Sequence, residues 1–290
     1  EGCNTSFQTH FQVTPDEFPH FYNIAQVVAA PVLAAATNSP ILFGKRLWKE
    51  TRIALFQQAV DTRSSNLYLR EMSPRVHFGS KWVQDSVTEI FKEDIARFRV
   101  LLTTDLEEHP VHVLQEGGVP KLQALQLHNG TVYRWNRACY GITDGKPHLR
   151  IENRVLPSGP TVVDEVANAA FWFGLVSAMS EMYEDVASEM DFDDAHHNFI
   201  AAARHGLSSQ FDWIDGRTLP AHELVLETLI PQARKGLETS DIAQPDIDRY
   251  LGIIEERVEA RQTGADWQLQ SVQKMKDVGT RSERLTALTA

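Results

Sequence analysis

His148-Leu149-Arg150-Ile151-Glu152-Asn153-Arg154-Val155-Leu156-Pro157-Ser158-Gly159-Pro160 is the stretch from which the fold is read. Side chains on a strand alternate between faces, so His148, Arg150, Glu152 and Arg154 point one way while Leu149, Ile151 and Val155 point the other. One face is oily; the other sets a carboxylate between two guanidiniums. A strand that needs only a wet outer face is served by Thr, Lys, Ser or Gln. A Glu inside an Arg cluster suits a site that holds a metal ion and the phosphates which that metal bridges. The competing reading is cross-strand ion pairing on a solvated sheet.

The flanks supply partners for this strand. Residues 5–13 read as a strand with Gln8, His10 and Gln12 on one face and Phe7, Phe11 and Val13 on the other. Thr14-Pro15-Asp16-Glu17 then has the form of a capping box that opens a helix running to about Thr37. Residues 132–140 and 148–155 make a hairpin around Thr143-Asp144-Gly145-Lys146. Past Pro160, residues 162–190 read as one long apolar helix, its Phe171-Trp172-Phe173 run belonging to the core.

Between these parts, residues 41–80, with Arg46, Arg52, Arg63 and Arg70, read as a long loop with short helical turns. A helix over 80–98 carries a stripe of Trp82, Val83, Val87, Ile90, Phe91 and Ile95. A short helix starts at Val119-Pro120 and stops at Asn129-Gly130. After 190 only helices are expected, at 196–204, 222–238, 245–261 and 266–276, then a frayed tail. The pattern is α+β: one catalytic-type domain over 1–276 with an antiparallel sheet, helices packed on its apolar face and a helical C-terminal half, and a tail over 277–290.

At 290 residues and 42% hydrophobic composition the chain buries a large core, and its net charge of −11 argues against broad nucleic-acid binding. Any anion site must be a local cluster of arginines. Cys3 and Cys139 are too few for a disulfide framework, which fits a reducing cytoplasm. The longest apolar run, residues 24–36, is broken by Gln26 and Pro31 and is too short to span a bilayer. No membrane partner is expected. Glu1 is not an initiator Met, and the chain is expected to be cut from something longer.

Arg150-Ile151-Glu152-Asn153-Arg154 resembles the Arg-x-Glu-x-Arg strand of glutamine synthetases. The longer run to Pro160 is similar to the Leu-Glu-x-Arg-Gly-Ala-Asp-Gly-Gly-Pro strand of glutamate-cysteine ligases of type 2, the carboxylate-amine ligases. Thr9-His10-Phe11-Gln12, Trp135-Asn136-Arg137, Ala203-Arg204-His205-Gly206-Leu207 with Asp215-Gly216-Arg217, and Gly264-Ala265-Asp266-Trp267-Gln268 resemble further elements of that family, in the same order. The resemblance implies a glutamine synthetase-like fold and ATP-dependent joining of a carboxylate to an amine, with glutamate and cysteine as the small-molecule substrates. It implies that Glu152 helps hold magnesium and that Arg154 and Arg137 contact substrate carboxylate or phosphoryl oxygens. His10, Gln12 and Arg150 would line the nucleotide site, and Arg52 resembles the family's phosphate-facing Arg.

Departures qualify the expectation. The family has an Asp after its Glu-x-Arg where this chain has Pro157 and Ser158, and its first histidine pair is here His10 and Gln12. Nothing like the family's Gly-x-Glu-x-Glu element occurs, so the metal site is expected to be short of carboxylates. The alternatives are the same chemistry on another amine, or a non-catalytic nucleotide-binding remnant. Asp193-Asp194-Ala195-His196-His197 reads as a polar helix start, because adjacent histidines on a helix point apart. His222-Glu223 reads as a solvated first turn, and Cys139 lacks the companions of a catalytic thiol.

Overall fold

The computed structural model describes residues 4–61, 63, 74–106 and 108–289; Cys3 and Arg70 lie outside the described residues. Strand β1 (Thr9–Val13) leads into helix α1 (Phe18–Ala36), the hairpin β2 (Ile41–Leu42) and β3 (Lys45–Arg46), helix α2 (Thr51–Ala59) and strand β4 (Val76–His77). Next come α3 (Thr88–Arg97), α4 (Pro110–Gln115), α5 (Gln123–Asn129), β5 (Tyr133–Arg134), β6 (Asn136–Thr143) and β7 (Lys146–Asn153). Helices α6 (Val162–Met182) and α7 (Phe192–His205) precede the hairpin β8 (Gln210–Trp213) and β9 (Arg217–Pro220). Helix α8 (Ala221–Glu223) runs through a π-helical stretch, Leu224–Leu229, into α9 (Ile230–Thr239), followed by α10 (Gln244–Glu259), α11 (Gly264–Lys274) and α12 (Arg281–Thr289).

The main sheet is antiparallel in the order β1-β7-β6, so the strand that opened the sequence reading is the central one. Asp144 and Gly145 both have positive φ, 50° and 74°, as a two-residue turn between twisted strands requires. The oily face carries Phe11, Ala138 and Ile151; Phe11 packs on Phe21, Trp172 and Phe173. The fold is α+β, as expected.

Helix α1 runs through the middle of the molecule, buried at every residue except His20 and Phe21. Its polar side chains fix its rotation: Asn136 Nδ2 donates to Gln26 Oε1 at 2.7 Å, and Tyr22 Oη to Asn136 O at 3.0 Å. At its far end Arg257 Nη1 donates to Ala35 O at 3.0 Å. Helices α6 and α9 meet backbone to backbone: a Cβ on Gly236 would lie 2.0 Å from Gly174 O, so only glycine fits. Helix α6 is the one described helix long and apolar enough to cross a membrane, yet 56% of its apolar window is buried inside the protein.

Several boundaries differ from the sequence reading. Thr14 and Glu17 do exchange capping bonds, but Pro19 has no N–H to close a turn onto Pro15, and α1 starts at Phe18. Residues 80–87 are not helical, because Asn23 takes both backbone groups of Val83, at 2.8 and 3.0 Å, and Glu89 accepts from the N–H groups of Gln84, Asp85 and Ser86. Ile95, expected in the buried stripe, is exposed. Helix α6 ends at Met182, with Tyr183 extended.

The stretch over 41–80, read as a loop with helical turns, holds the β2–β3 hairpin, α2 and β4. The C-terminal half is not purely helical either: β8 and β9 pair antiparallel, and β8 alternates, with Phe211 and Trp213 buried. The expected frayed tail contains α12, packed close enough to the β2–β3 tip that a Cβ on Gly44 would lie 3.0 Å from Leu285 Cδ1.

Candidate active site

Strand register assembles the polar face. His10 pairs with Glu152 and Glu152 with Arg137, forming one row across the sheet; Gln12, Arg150 and Cys139 form the next. Glu152 is buried, and its Oε2 accepts from Arg137 Nε at 2.5 Å with Cys139 Sγ at 3.7 Å. Its Oε1 faces His10 Nε2 at 3.9 Å, beyond hydrogen-bond range. Of the residues expected at the site, His10, Gln12, Arg137, Arg150 and Glu152 therefore share one surface.

Arg154 sits just past the end of β7, where its N–H donates to Trp135 O at 2.9 Å. Its guanidinium lies between the Phe56 and Tyr133 rings, 5.8 and 5.5 Å from their centroids, and its Nε and Nη1 are buried with no hydrogen-bond partner. A buried donor without an acceptor costs about 1–3 kcal/mol, more when charged, so such an arrangement awaits an anion. Arg52 lies behind it, wholly buried. Arg52 Nε donates to Glu50 Oε1 at 3.2 Å, and its other nitrogens donate to the carbonyls of Arg154 and Val155. Glu50 in turn accepts from Asn38 N and Ser39 Oγ. The geometry gives Arg52 the task of holding the backbone from which Arg154 projects.

Charge at this face does not balance. Arg137, Arg150 and Arg154 surround one carboxylate, Glu152, leaving two positive charges uncompensated in a chain of net charge −11. Burial, then the neighbouring Arg137, pushes the Arg154 pKa down. Burial also lowers His10, against the pull of Glu152, and keeps its imidazole neutral near pH 7. Burial raises the Cys139 thiol despite Arg137 beside it, so this cysteine is no activated nucleophile.

Two small cavities open on the face. One, about 180 Å³, is lined by Asn4, Ser6, Gln8, Arg52, Phe56 and Arg154. The other, about 200 Å³, includes Arg137, Cys139, Arg150, Gln126 and Asn129. The Arg150 Nε is buried there without a hydrogen-bond partner. Asn4, Gln126 and Asn129 were missed in the sequence: no spacing links α5 to the sheet, and only the Gln8-His10-Gln12 alternation pointed along the N-terminal strand. The Asp193 to His197 run is the first turn of α7, and among the described residues no three His, Cys, Asp or Glu side chains gather as a metal cluster. Glu152 Oε1, without a hydrogen bond, is the carboxylate oxygen on this face that would hold a magnesium ion, the rest of whose shell would be phosphate and water.

An antiparallel sheet that backs onto helices here turns surplus guanidiniums toward small cavities, a surface with the charge to accept anionic groups. The model of glutamate-cysteine ligase family 2 matches residues 5–286, and the chain belongs to that family. The chemistry of the family is ATP-dependent ligation of a carboxylate to an amine. No curated protein matches the chain.

Proposed function

We propose that this protein joins the γ-carboxylate of glutamate to the amine of cysteine, with ATP as the second anionic substrate and magnesium as the ion that accompanies it. The observation that carries the reading is the pair of unpartnered, buried donors on Arg154 beside an Arg137–Glu152 pair that leaves Arg150 and Arg154 unanswered. The carboxylate attacks the terminal phosphorus of ATP, ADP leaves, and the resulting acyl phosphate is displaced by the amine with loss of phosphate. Arg154 and Arg137 place positive charge where negative charge builds on the transferring group, before it arrives and without reorganisation. His10, Gln12 and Arg150 bind and orient the nucleotide. Glu152 would hold magnesium, which would supply positive charge to neutralise phosphate oxygens. A cytoplasmic location belongs to the same proposal.

Binding without turnover is the second reading, favoured by one observation: Glu152 is the lone carboxylate on the paired rows of the polar face. The experiment that separates the two supplies ATP, magnesium, glutamate and a panel of amines including cysteine, and follows phosphate release together with γ-glutamyl product. Stoichiometric phosphate and product, dependent on both glutamate and one amine, supports ligation. Product with an amine other than cysteine moves the acceptor. ATP binding with no product favours the second reading, and absence of ATP binding overturns both.

A further inference from the structure

A separate concentration of positive charge lines a cleft formed by the β2–β3 hairpin and the last two helices. A cleft of about 700 Å³ between the β2–β3 hairpin, α11 and α12 is lined by Arg46, Lys49, Lys274, Arg281 and Arg284, against a single carboxylate, Asp266. Lys49 Nζ donates to Asp266 Oδ1, so that pair neutralises itself. Arg284 Nη1 spends its bonds on two carbonyls, Lys276 O at 2.8 Å and Gly279 O at 3.2 Å, which leaves its charge standing. Glu283 is turned to its own helix start, accepting from Thr280 N at 2.6 Å. The side chains of Arg46, Lys274 and Arg281 form no hydrogen bond or ion pair with another described residue.

A face of solvated cations is usually convex, with acids interspersed. Here the cations converge on a concavity whose floor is aliphatic, made by Ile41, Leu269, Val272 and Leu285. The wall is set by the close approach of α12 to Gly44, at φ +71°, where a Cβ would lie 3.0 Å from side-chain atoms of Arg281 and Leu285. Small-molecule sites commonly occupy about 300–1,000 Å³ and combine an apolar lining with a few converging polar groups. In a chain of net charge −11, such a cluster also draws anions by its local field. The cleft shares no lining residue with either cavity on the sheet face.

We propose that this cleft is a second binding site, for a small organic anion bearing two or more negative charges on an aliphatic body, with Arg46, Lys274 and Arg281 on the charge and the floor on the body. The test is calorimetric titration of the full chain with hexyl diphosphate and with methyl diphosphate at low ionic strength. Hexyl diphosphate is expected to saturate one site at least tenfold more tightly than methyl diphosphate. Combined Arg46→Ala and Lys274→Ala, both exposed positions, weakens it at least tenfold with an unchanged circular dichroism spectrum, as does Lys274→Glu alone. Arg154→Ala leaves the affinity within twofold. Equal affinities for the two diphosphates, wild-type affinity in both cleft variants, or loss confined to Arg154→Ala would each overturn the proposal, the last by sending the anion to the sheet face.

Discussion

Two arginine centres in this molecule show what separates an ion pair that holds a fold from one that awaits a ligand. At the first, Arg134 binds Asp94 through Nε and Nη2 at 2.7–3.1 Å and Glu93 through Nη2 at 2.9 Å, while Arg97 Nε lies 3.2 Å from Glu93. Two cations meet two carboxylates there. At the second, on the sheet's polar face, three cations meet one carboxylate, and Arg154 and Arg150 keep buried nitrogens unbonded. The neighbours pull in opposite directions: at the closed centre Asp94, Glu93 and Tyr22 outweigh burial and raise Arg134, whereas at the open one burial prevails and lowers Arg154. A closed centre can be lost only by opening the core; an open one is completed by something that arrives.

The largest effect should come from opening the closed centre. Asp94→Asn leaves Arg134 buried with its charge half-answered, and breaking a buried pair this way costs about 3–5 kcal/mol. Chemical denaturation should show that loss, while ATP affinity per folded molecule stays as it was. A variant as stable as wild type would remove the distinction between the centres.

At the open centre the pattern should invert. Arg154→Lys keeps the charge but not the planar array of donors, so turnover is expected to drop by at least an order of magnitude. The melting temperature should hold, and Arg154→Met, which removes an unanswered buried charge, should raise it or leave it unchanged. A large fall in melting temperature with either variant would make Arg154 a structural residue like Arg134.

The smallest effect concerns His77, beside the closed centre, whose ring lies tilted against Phe98 with centroids 5.2 Å apart and whose Nε2 lies 3.7 Å from Asp94. Burial, with Arg134 next, holds its pKa well below 6.5. The unfolded chain therefore takes up a proton that the folded one refuses. The contribution of His77 is undiminished above the unfolded value and declines as pH falls from about 6.5 toward the lowered folded value. Melting temperatures between about pH 7 and pH 5 should slope less steeply in His77→Phe than in wild type. Parallel curves would show that the buried imidazole is not what couples this region to protons.

The open centre was legible in the sequence in two parts. Alternation put His10 with Gln12 and Arg150 with Glu152, each pair on one face of its own strand, whereas joining the two strands and Arg137 in one site came with the family resemblance, and the register of β1, β7 and β6 brings them together. The closed centre was invisible, since Arg134 stands on a two-residue strand and its carboxylates come from a helix forty residues earlier. Trp82 and Val83 were read as helical for the same reason: their spacing is helical, but Asn23 and Met190, distant in sequence, hold their polar groups in a loop. Arg52 was legible as an arginine near the site. Its burial against Glu50 and two carbonyls was not, because nothing in a sequence says which way a helix-start side chain turns.

Helix α1 carries a consequence for how the protein comes to exist. Its Ala35 lies 222 residues ahead of Arg257, the side chain that binds the Ala35 carbonyl, and at roughly 5–20 residues per second a ribosome needs on the order of 11–44 seconds to deliver that partner. For that interval Ile24 to Ala36, an almost unbroken apolar helix, has no finished interior to enter. The yield of native protein in a cell should therefore depend on what shelters this helix during synthesis. Slowing translation after α1 should lower that yield, and supplying a chaperone that binds apolar helices should restore it.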